Sequence, residues 1–285
     1  MVLLAATVCQ ARALNLFQFP SAQGLQTPVR GANNLSMTQL DHPYEAQVNG
    51  FDFYIPDDVL LSARLCDLGV RIENTNCPEL SKKLLGELKQ VGITQLVPKF
   101  YLADEWFCPA GSIAIAVPFW LAHPRLTELE RTQMGRAEGD TALEFMKLLR
   151  HEMGHCVEHA YGLSKRSDWQ QVFGSPSLAY SPEKYQWDRK TLNFVRHLPE
   201  GYAQSHPEED FAETFAVWLD PKSAWRKRYQ YWDGAIAKLN YVHHLMQECA
   251  ITKPKRIRYN LIASAVRSKK SVRQIYTARM RDLSC

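Results

Sequence analysis

The sequence Thr141-Ala-Leu-Glu-Phe-Met-Lys-Leu-Leu-Arg-His-Glu-Met-Gly-His-Cys-Val-Glu-His-Ala-Tyr161 places His151 and His155 four positions apart, with Glu152 beside the first histidine. On a helix, residues four apart lie on the same face, so both imidazoles reach a single metal ion at about 2.0–2.1 Å. Glu152 is then placed to act on a water bound to that metal. This HExxH pattern predicts a helix that carries two zinc ligands and a general base, with the rest of the fold organised around it.

The two ends of this helix are also predicted by the sequence. Thr141 and Glu144 form a capping-box pattern at the start, and Gly162 follows Tyr161 as a natural stop. Apolar residues recur between them at helical spacing. We therefore predict a helix over residues 141–161.

The length and composition of the chain bound what such a site belongs to. At 285 residues the chain is long enough to bury a full core. It contains no run of eighteen or more apolar residues, so the sequence predicts no membrane-spanning helix. The short apolar run from Val2 to Val8 has no basic residue before it, so we predict a cytoplasmic protein, with secretion as the alternative. The seven cysteines contain no Cys-x-x-Cys pair, which favours reduced thiols. Cys156 is interpreted as a small packed residue.

Three regions differ in composition. The composition of residues 1–45 predicts an extended or loosely ordered arm. Residues 46–250 are predicted to form a catalytic domain, and residues 251–285 are predicted to form a basic tail. The catalytic domain contains amphipathic helical and apolar strand patterns: helices at Pro56–Cys66, Cys77–Lys89, Ala224–Trp232 and Ala235–Met246, and strands at Leu96–Leu102 and Ser112–Phe119. These patterns predict an α+β fold with a small N-terminal mixed sheet and a mainly helical C-terminal half.

The apolar strand from Gly111 to Phe119 has two interpretations. An edge strand beside a metal cleft binds an extended peptide through main-chain hydrogen bonds, and Pro118 is tolerated best on such an edge. A buried scaffold strand explains the same residues. The sequence leaves both open.

A catalytic zinc needs a third protein ligand and one open position for water. The metzincin pattern is excluded because Glu158 and Tyr161 stand where it requires glycine and histidine. A pair formed by His155 and His159 is an alternative, but it lacks the adjacent glutamate that would serve as base. We therefore looked for the third ligand on a second helix.

That second helix is predicted over Ser205–Leu219, where Ser205 with Glu208 suggests a cap and Pro207 suits the first turn. Glu209 and Glu213 lie four apart, so one carboxylate can bind the metal while the other hydrogen-bonds the outer nitrogen of a zinc-bound histidine. Glu208 remains an alternative to Glu209. Acidic residues also favour the first turn of any helix, but Glu213 lies too far along for that explanation.

The two segments together resemble the gluzincin metallopeptidases, in which two helices supply His, His and Glu to zinc. Tyr202 to Ala216 is similar to a segment of bacterial zinc-binding metallopeptidases, and the metal core resembles that of anthrax lethal factor. The resemblance implies a zincin-like fold, with zinc bound by the three residues His151, His155 and Glu209. It further implies Glu152 as base, Glu213 as partner of a zinc histidine, and Tyr202 as a donor to the oxyanion.

The predicted function is a zinc metallopeptidase, a hydrolase that cleaves a peptide or protein substrate through a zinc-activated water with Glu152 as general base. One alternative is a binding or regulatory protein on a zinc-stabilised zincin scaffold, which the presence of Glu152 argues against. Another is a DNA-associated protease recruited by the tail, since Lys253 to Arg281 hold ten Lys or Arg and no acid. No nucleic-acid motif supports that last alternative.

Overall fold

The computed structural model describes residues 55–179 and 185–284. In these ranges the α-helices are α1 (Asp57–Ser62), α2 (Cys77–Gln90), α3 (Pro124–Met134), α4 (Ala142–Tyr161), α5 (Ser167–Phe173), α6 (Pro207–Leu219), α7 (Trp225–Arg228), α8 (Asp233–Ile251) and α9 (Val272–Ser284). The strands are β1 (Lys99–Ala103) and β2 (Ala114–Pro118). The predicted arm over residues 1–45 and the apolar run within it lie outside the described residues.

The sheet consists of β1 and β2, which pair in parallel with Lys99 opposite Ala114 and Ala103 opposite Pro118. Both strands fall where the sequence predicts them. A mixed sheet was expected, but among the described residues the antiparallel contacts are isolated bridges, such as the one between Phe107 and Ala116. A helix-rich chain with this small sheet is compatible with the α+β class.

The β2 strand is buried along its whole length. Its edge away from β1 is partly covered, because the Ala116 N–H donates to the Phe107 carbonyl at 2.9 Å. Just before β2, the Ile113 N–H donates to the Arg258 carbonyl at 2.8 Å. The bond from Ala116 uses a main-chain group that an added peptide strand would need.

The predicted helix at the HExxH pattern is confirmed as α4. The Thr141 hydroxyl accepts the Glu144 N–H at 3.2 Å, which caps the first turn. Gly162 ends the helix in the left-handed region with φ 64°, and its N–H donates to the Glu158 carbonyl. This conformation is the one that glycine adopts without steric cost.

The second predicted helix is α6, but its cap differs from the expected one. The Ser205 hydroxyl donates to the Tyr202 carbonyl at 2.7 Å and does not cap the helix. His206 instead accepts the Glu208 N–H on its Nδ1 at 3.2 Å. Pro207 occupies the first turn as predicted, where its missing N–H leaves no bond unmade.

Helices α4 and α6 cross in direct backbone contact. A Cβ added to Gly154 would lie 2.8 Å from Ala212 Cα and 3.2 Å from the Ala212 carbonyl oxygen. Only glycine permits this approach, since real Cβ atoms do not come so near a backbone. The close crossing brings the facing turns of the two helices into one small space.

The remaining helices differ from prediction mainly at their ends. The α1 helix stops at Ser62, α7 is limited to four residues, and α8 extends beyond the predicted range to Ile251. The Ala224 residue before α7 has φ 45°, which interrupts the helix expected from that residue onward.

The basic tail includes a helix that packs onto the rest of the protein. Along α9, Val272, Ile275 and Tyr276 are buried in the main hydrophobic core. Arg279 of the same helix donates to Glu130 at 2.9 Å and to Glu105 at 2.7 Å. The division at residue 250 stays a prediction. Within the described residues no helix is both long enough and apolar enough to span a bilayer.

Candidate metal centre

Three side chains converge where α4 faces α6. His151 Nε2 lies 3.0 Å from Glu209 Oε2, and His155 Nε2 lies 3.3 Å from the same oxygen. The two Nε2 atoms are 3.2 Å apart. The structure thus brings together the three residues predicted as metal ligands, and among the described residues they form the one such group able to hold a metal ion.

These distances fit a tetrahedral zinc ion. Ligand atoms each about 2.0–2.1 Å from a tetrahedral zinc are separated from one another by about 3.3–3.4 Å. The three observed separations are within a few tenths of an ångström of this value. His155 is the most exposed of the three, with 14% of its side chain accessible against 4% for His151. The solvent-accessible part of the cluster is therefore mainly on His155.

Glu213 holds the outer nitrogen of His151. Glu213 Oε1 lies 2.9 Å from His151 Nδ1, and Glu213 Oε2 accepts the Leu198 N–H at 2.8 Å. Both carboxylate oxygens are therefore occupied in a fully buried side chain. A proton on Nδ1 of His151 leaves the lone pair of Nε2 directed at the other two ligand atoms, as metal binding requires.

The charges of the centre are tightly coupled in the metal-free protein. Burial disfavours the imidazolium of His151, but the hydrogen bonds of Glu209 and Glu213 outweigh it and raise its pKa well above the usual range. Burial also disfavours the Glu209 carboxylate, but His155 and His151 overcome it and hold the pKa well below its usual range. A metal ion would take the place of the protons that the histidines share with this carboxylate.

Glu152 lies next to these ligands without joining them. Its Oε2 atom is buried and has no hydrogen-bond partner among the residues that the structure describes. Burial raises the pKa of Glu152, while the neighbouring His151 and His155 act in the opposite direction. Burying a carboxylate oxygen without a hydrogen-bond donor costs free energy. The unpartnered Oε2 atom fits a site that binds a metal together with a water molecule. A raised pKa also makes the Glu152 carboxylate a better proton acceptor.

Tyr202 is buried beside His151, with its ring centre 5.7 Å from the imidazole centre. The backbone just before it is unusual, because Glu200 and Gly201 have φ values of 58° and 66°. A Cβ at Gly201 would lie 2.3 Å from the Trp187 ring. Tyr202 is thus held near the centre by a tight turn that packs on Trp187.

The alternatives left open by the sequence are placed elsewhere. Glu208 is partly exposed, and its carboxylate lies 3.9 Å from His206 Nδ1 rather than near a zinc histidine. His159 directs Nδ1 at the Ser112 carbonyl, 3.0 Å away, and Nε2 at Glu158, 3.4 Å away. Neither residue belongs to the group of three.

Some contacts of the centre escaped the sequence-based reasoning. The Leu198 N–H that fixes Glu213 is a backbone group and carries no sequence signal. Cys156 packs inside as predicted, but its Sγ lies 3.5 Å from Sγ of Cys108, and both thiols are free. Gly201, one position before Tyr202, was a visible signal of a tight turn that was not used.

The chain matches a known protein family over part of its length. The sequence model of a family described as “Putative zinc-binding metallo-peptidase” matches residues 122–246, a range that includes both α4 and α6. Searches of curated proteins and of solved structures gave no significant match. The family match supports a zinc metallopeptidase, and thus a hydrolase. The gluzincin subtype, the zincin-like fold and the likeness to anthrax lethal factor stay predictions.

Proposed function

We propose that this protein is a zinc-dependent metallopeptidase of the gluzincin type that hydrolyses peptide bonds in a peptide or protein substrate. His151, His155 and Glu209 hold the zinc, and Glu152 is the general base. Glu213 orients His151, and Tyr202 donates a hydrogen bond to the developing oxyanion.

One observation carries the proposal. The lone-pair atoms of His151, His155 and Glu209 are 3.0–3.3 Å apart, and Glu213 holds the one other nitrogen of His151. A buried imidazole, a partly buried one and a buried carboxylate in mutual contact give the fold no stability that a cluster of apolar side chains would lack. A bound divalent cation explains all four side chains.

The chemistry divides between the metal and the chain. When bound at this centre, zinc would acidify a water molecule and polarise a carbonyl group. Glu152 accepts the proton of the attacking water on its unpartnered Oε2 and later delivers that proton to the leaving amine. The burial that raises the pKa of Glu152 supports both halves of this transfer.

Metal content tests the first part of the proposal. Purified wild-type protein should contain one zinc per chain by elemental analysis, and the His151→Ala/His155→Ala variant should contain almost none. His244→Ala is the matched control, because His244 is exposed on α8. A double variant with wild-type zinc content would refute the site.

Hydrolysis tests the second part. Glu152→Gln should retain zinc and fold while losing about two to four powers of ten in turnover, the range expected for a lost general base. A proteome-wide cleavage screen that compares wild type with Glu152→Gln identifies the substrate and measures the loss together. Equal cleavage by the two proteins would contradict the role of Glu152.

A further inference from the structure

The chain that follows α8 crosses the protein as an extended segment anchored by its backbone. The N–H groups of Lys255 and Arg256 donate to the Ala160 carbonyl near the end of α4, at 2.8 and 3.1 Å. Three residues on from Lys255, the Arg258 carbonyl accepts the Ile113 N–H at 2.8 Å. These bonds hold the segment in place while leaving its side chains outside the core.

The exposed side chains of this segment combine positive charge with apolar surface. We call residues 253–259 the basic ribbon. Its cations, all exposed, are Lys253, Lys255, Arg256 and Arg258. Ile257 and Tyr259 stand between and after them, with 53% and 49% of their surface accessible.

The cations of the basic ribbon have no anionic partner within the part of the chain that the structure describes. The ion pairs found there use other lysines and arginines. Four unpaired cations on six consecutive positions repel one another unless an anion lies near them. Positive charge is favourable near the C-terminal end of a helix, so contact with the end of α4 explains the cations at Lys255 and Arg256. It does not account for Lys253 or Arg258.

The basic ribbon is connected by hydrogen bonds to α4, the helix that carries His151 and His155. The Ser112 hydroxyl donates to the Arg258 carbonyl at 3.3 Å, and the Ser112 carbonyl lies 3.0 Å from His159 Nδ1. His159 is one helical turn, about 5.4 Å along α4, beyond the zinc ligand His155. Ser112 therefore links the ribbon to the helix that carries the catalytic residues.

From this placement we infer that the basic ribbon binds an acidic segment of the polypeptide substrate, outside the bond that is cleaved. The inference rests on the proposed peptidase function and names the class of substrate. Unpaired cations beside a cleft raise the local concentration of anionic segments. The apolar side chains of Ile257 and Tyr259 give such a segment side-chain contacts in addition to charge. A polypeptide is favoured over nucleic acid because the ribbon is hydrogen-bonded to the helix that carries the proposed peptidase residues.

Direct binding tests the inference without relying on turnover. The zinc-loaded Glu152→Gln protein is titrated, with fluorescence anisotropy as the readout, against a labelled glutamate-rich peptide and against the same peptide with glutamine at every glutamate. A single-stranded oligonucleotide of similar length is the third probe. The ribbon variant carries Lys253→Glu, Lys255→Glu and Arg258→Glu.

The matched control has the same change of charge elsewhere. It carries Lys82→Glu, Lys83→Glu and Lys89→Glu, three exposed lysines of α2. Melting temperatures of both variants show whether the fold is kept. If the ribbon variant is unstable, replacing the same three cations by glutamine removes the attraction without adding repulsion, and this second variant decides the result.

The glutamate-rich peptide should bind more tightly than the glutamine peptide, and the ribbon variant should weaken that binding by about tenfold or more. Added salt should weaken binding to the parent more than to the ribbon variant, as expected when rim charges drive association. Equal loss in the α2 control, or no preference for glutamate, would overturn the inference. Binding of the oligonucleotide alone would also overturn it and identify a nucleic-acid contact. Zinc content and cleavage test the peptidase separately, so either idea can fail alone.

Discussion

The replacement Glu213→Gln tests whether α4 and α6 are coupled through the metal centre. In the native side chain, Oε1 faces His151 Nδ1 at 2.9 Å and Oε2 accepts the Leu198 N–H at 2.8 Å. Glutamine keeps the shape but has one acceptor oxygen and one NH2 group. Whichever way the amide turns, its NH2 group must face either His151 Nδ1 or the Leu198 N–H.

Zinc binding is weakened because the metal-free protein can turn the NH2 group toward His151, whereas the zinc-bound form requires it to face Leu198. If the NH2 group faces His151, the imidazole proton moves to Nε2 and the lone pair that binds zinc is lost. If it faces Leu198, two donors oppose each other in a fully buried position. A buried donor without a partner costs about 1–3 kcal/mol. At 1.4 kcal/mol per tenfold, this predicts a loss of roughly five- to 140-fold in zinc affinity, a range that contains the tenfold to 100-fold usual for such partners.

Competition with a chelator of known affinity measures the change. Glu208→Gln is the matched control, because Glu208 lies on the same helix and contacts no zinc histidine. The control should bind zinc as the wild type does. Unchanged affinity in Glu213→Gln, or an equal loss in Glu208→Gln, would refute the pairing and the choice of Glu209 as third ligand.

Three further variants probe the surroundings of the centre. Gly154→Ala should lower the free energy of unfolding by about 1–3 kcal/mol in chemical denaturation, because the new Cβ meets the Ala212 backbone; wild-type stability would show that the helices do not touch there. Lys238→Met should lower it by about 3–5 kcal/mol at pH 8, because it leaves the Asp210 carboxylate, 2.6 Å from Lys238 Nζ, buried without a cation. Burial raises the pKa of Asp210 from 3.8 to about 7, although Lys238 acts in the opposite direction. Ionised Asp210 therefore destabilises the fold as the pH rises from 3.8 through 7, and the stability defect of Lys238→Met should be smaller at pH 5, where Asp210 is protonated. A defect that does not change with pH would refute this reasoning. Tyr202→Phe should reduce turnover while zinc content stays at the wild-type level, and a parallel loss of zinc would assign Tyr202 to metal binding.

The sequence-based predictions were most accurate where they depended on residues close together in the chain. The α4 helix begins and ends as expected because its cap, Thr141, and its terminal Gly162 act on backbone groups within the next or the preceding few residues. The α6 helix was placed correctly but with the wrong cap. Ser205 and His206 can each accept a hydrogen bond, and the choice between them depends on the turn around Tyr202.

The C-terminal segment shows the limit of reasoning from composition. Its charge was visible in the sequence, and the charge alone suggested a separate basic tail or a nucleic-acid contact. In the structure Val272, Ile275 and Tyr276 pack into the core, while residues 253–259 hydrogen-bond to Ala160 near the end of α4 and to Ile113 just before β2. Composition reports how many charges a segment carries, but not which backbone groups it meets.

The sequence by itself determined the elements of the centre. Helical spacing places His151 over His155 and Glu209 before Glu213, because one turn of hydrogen-bonded backbone relates residues four apart. Only the tertiary structure decided how the two helices meet. The contact of Gly154 with Ala212 sets their separation. In this packing Glu209, and not Glu208, faces the two histidines, and Glu213 contacts His151. Such pairings join residues more than fifty positions apart, and packing of the whole core, not local hydrogen bonding, selects them.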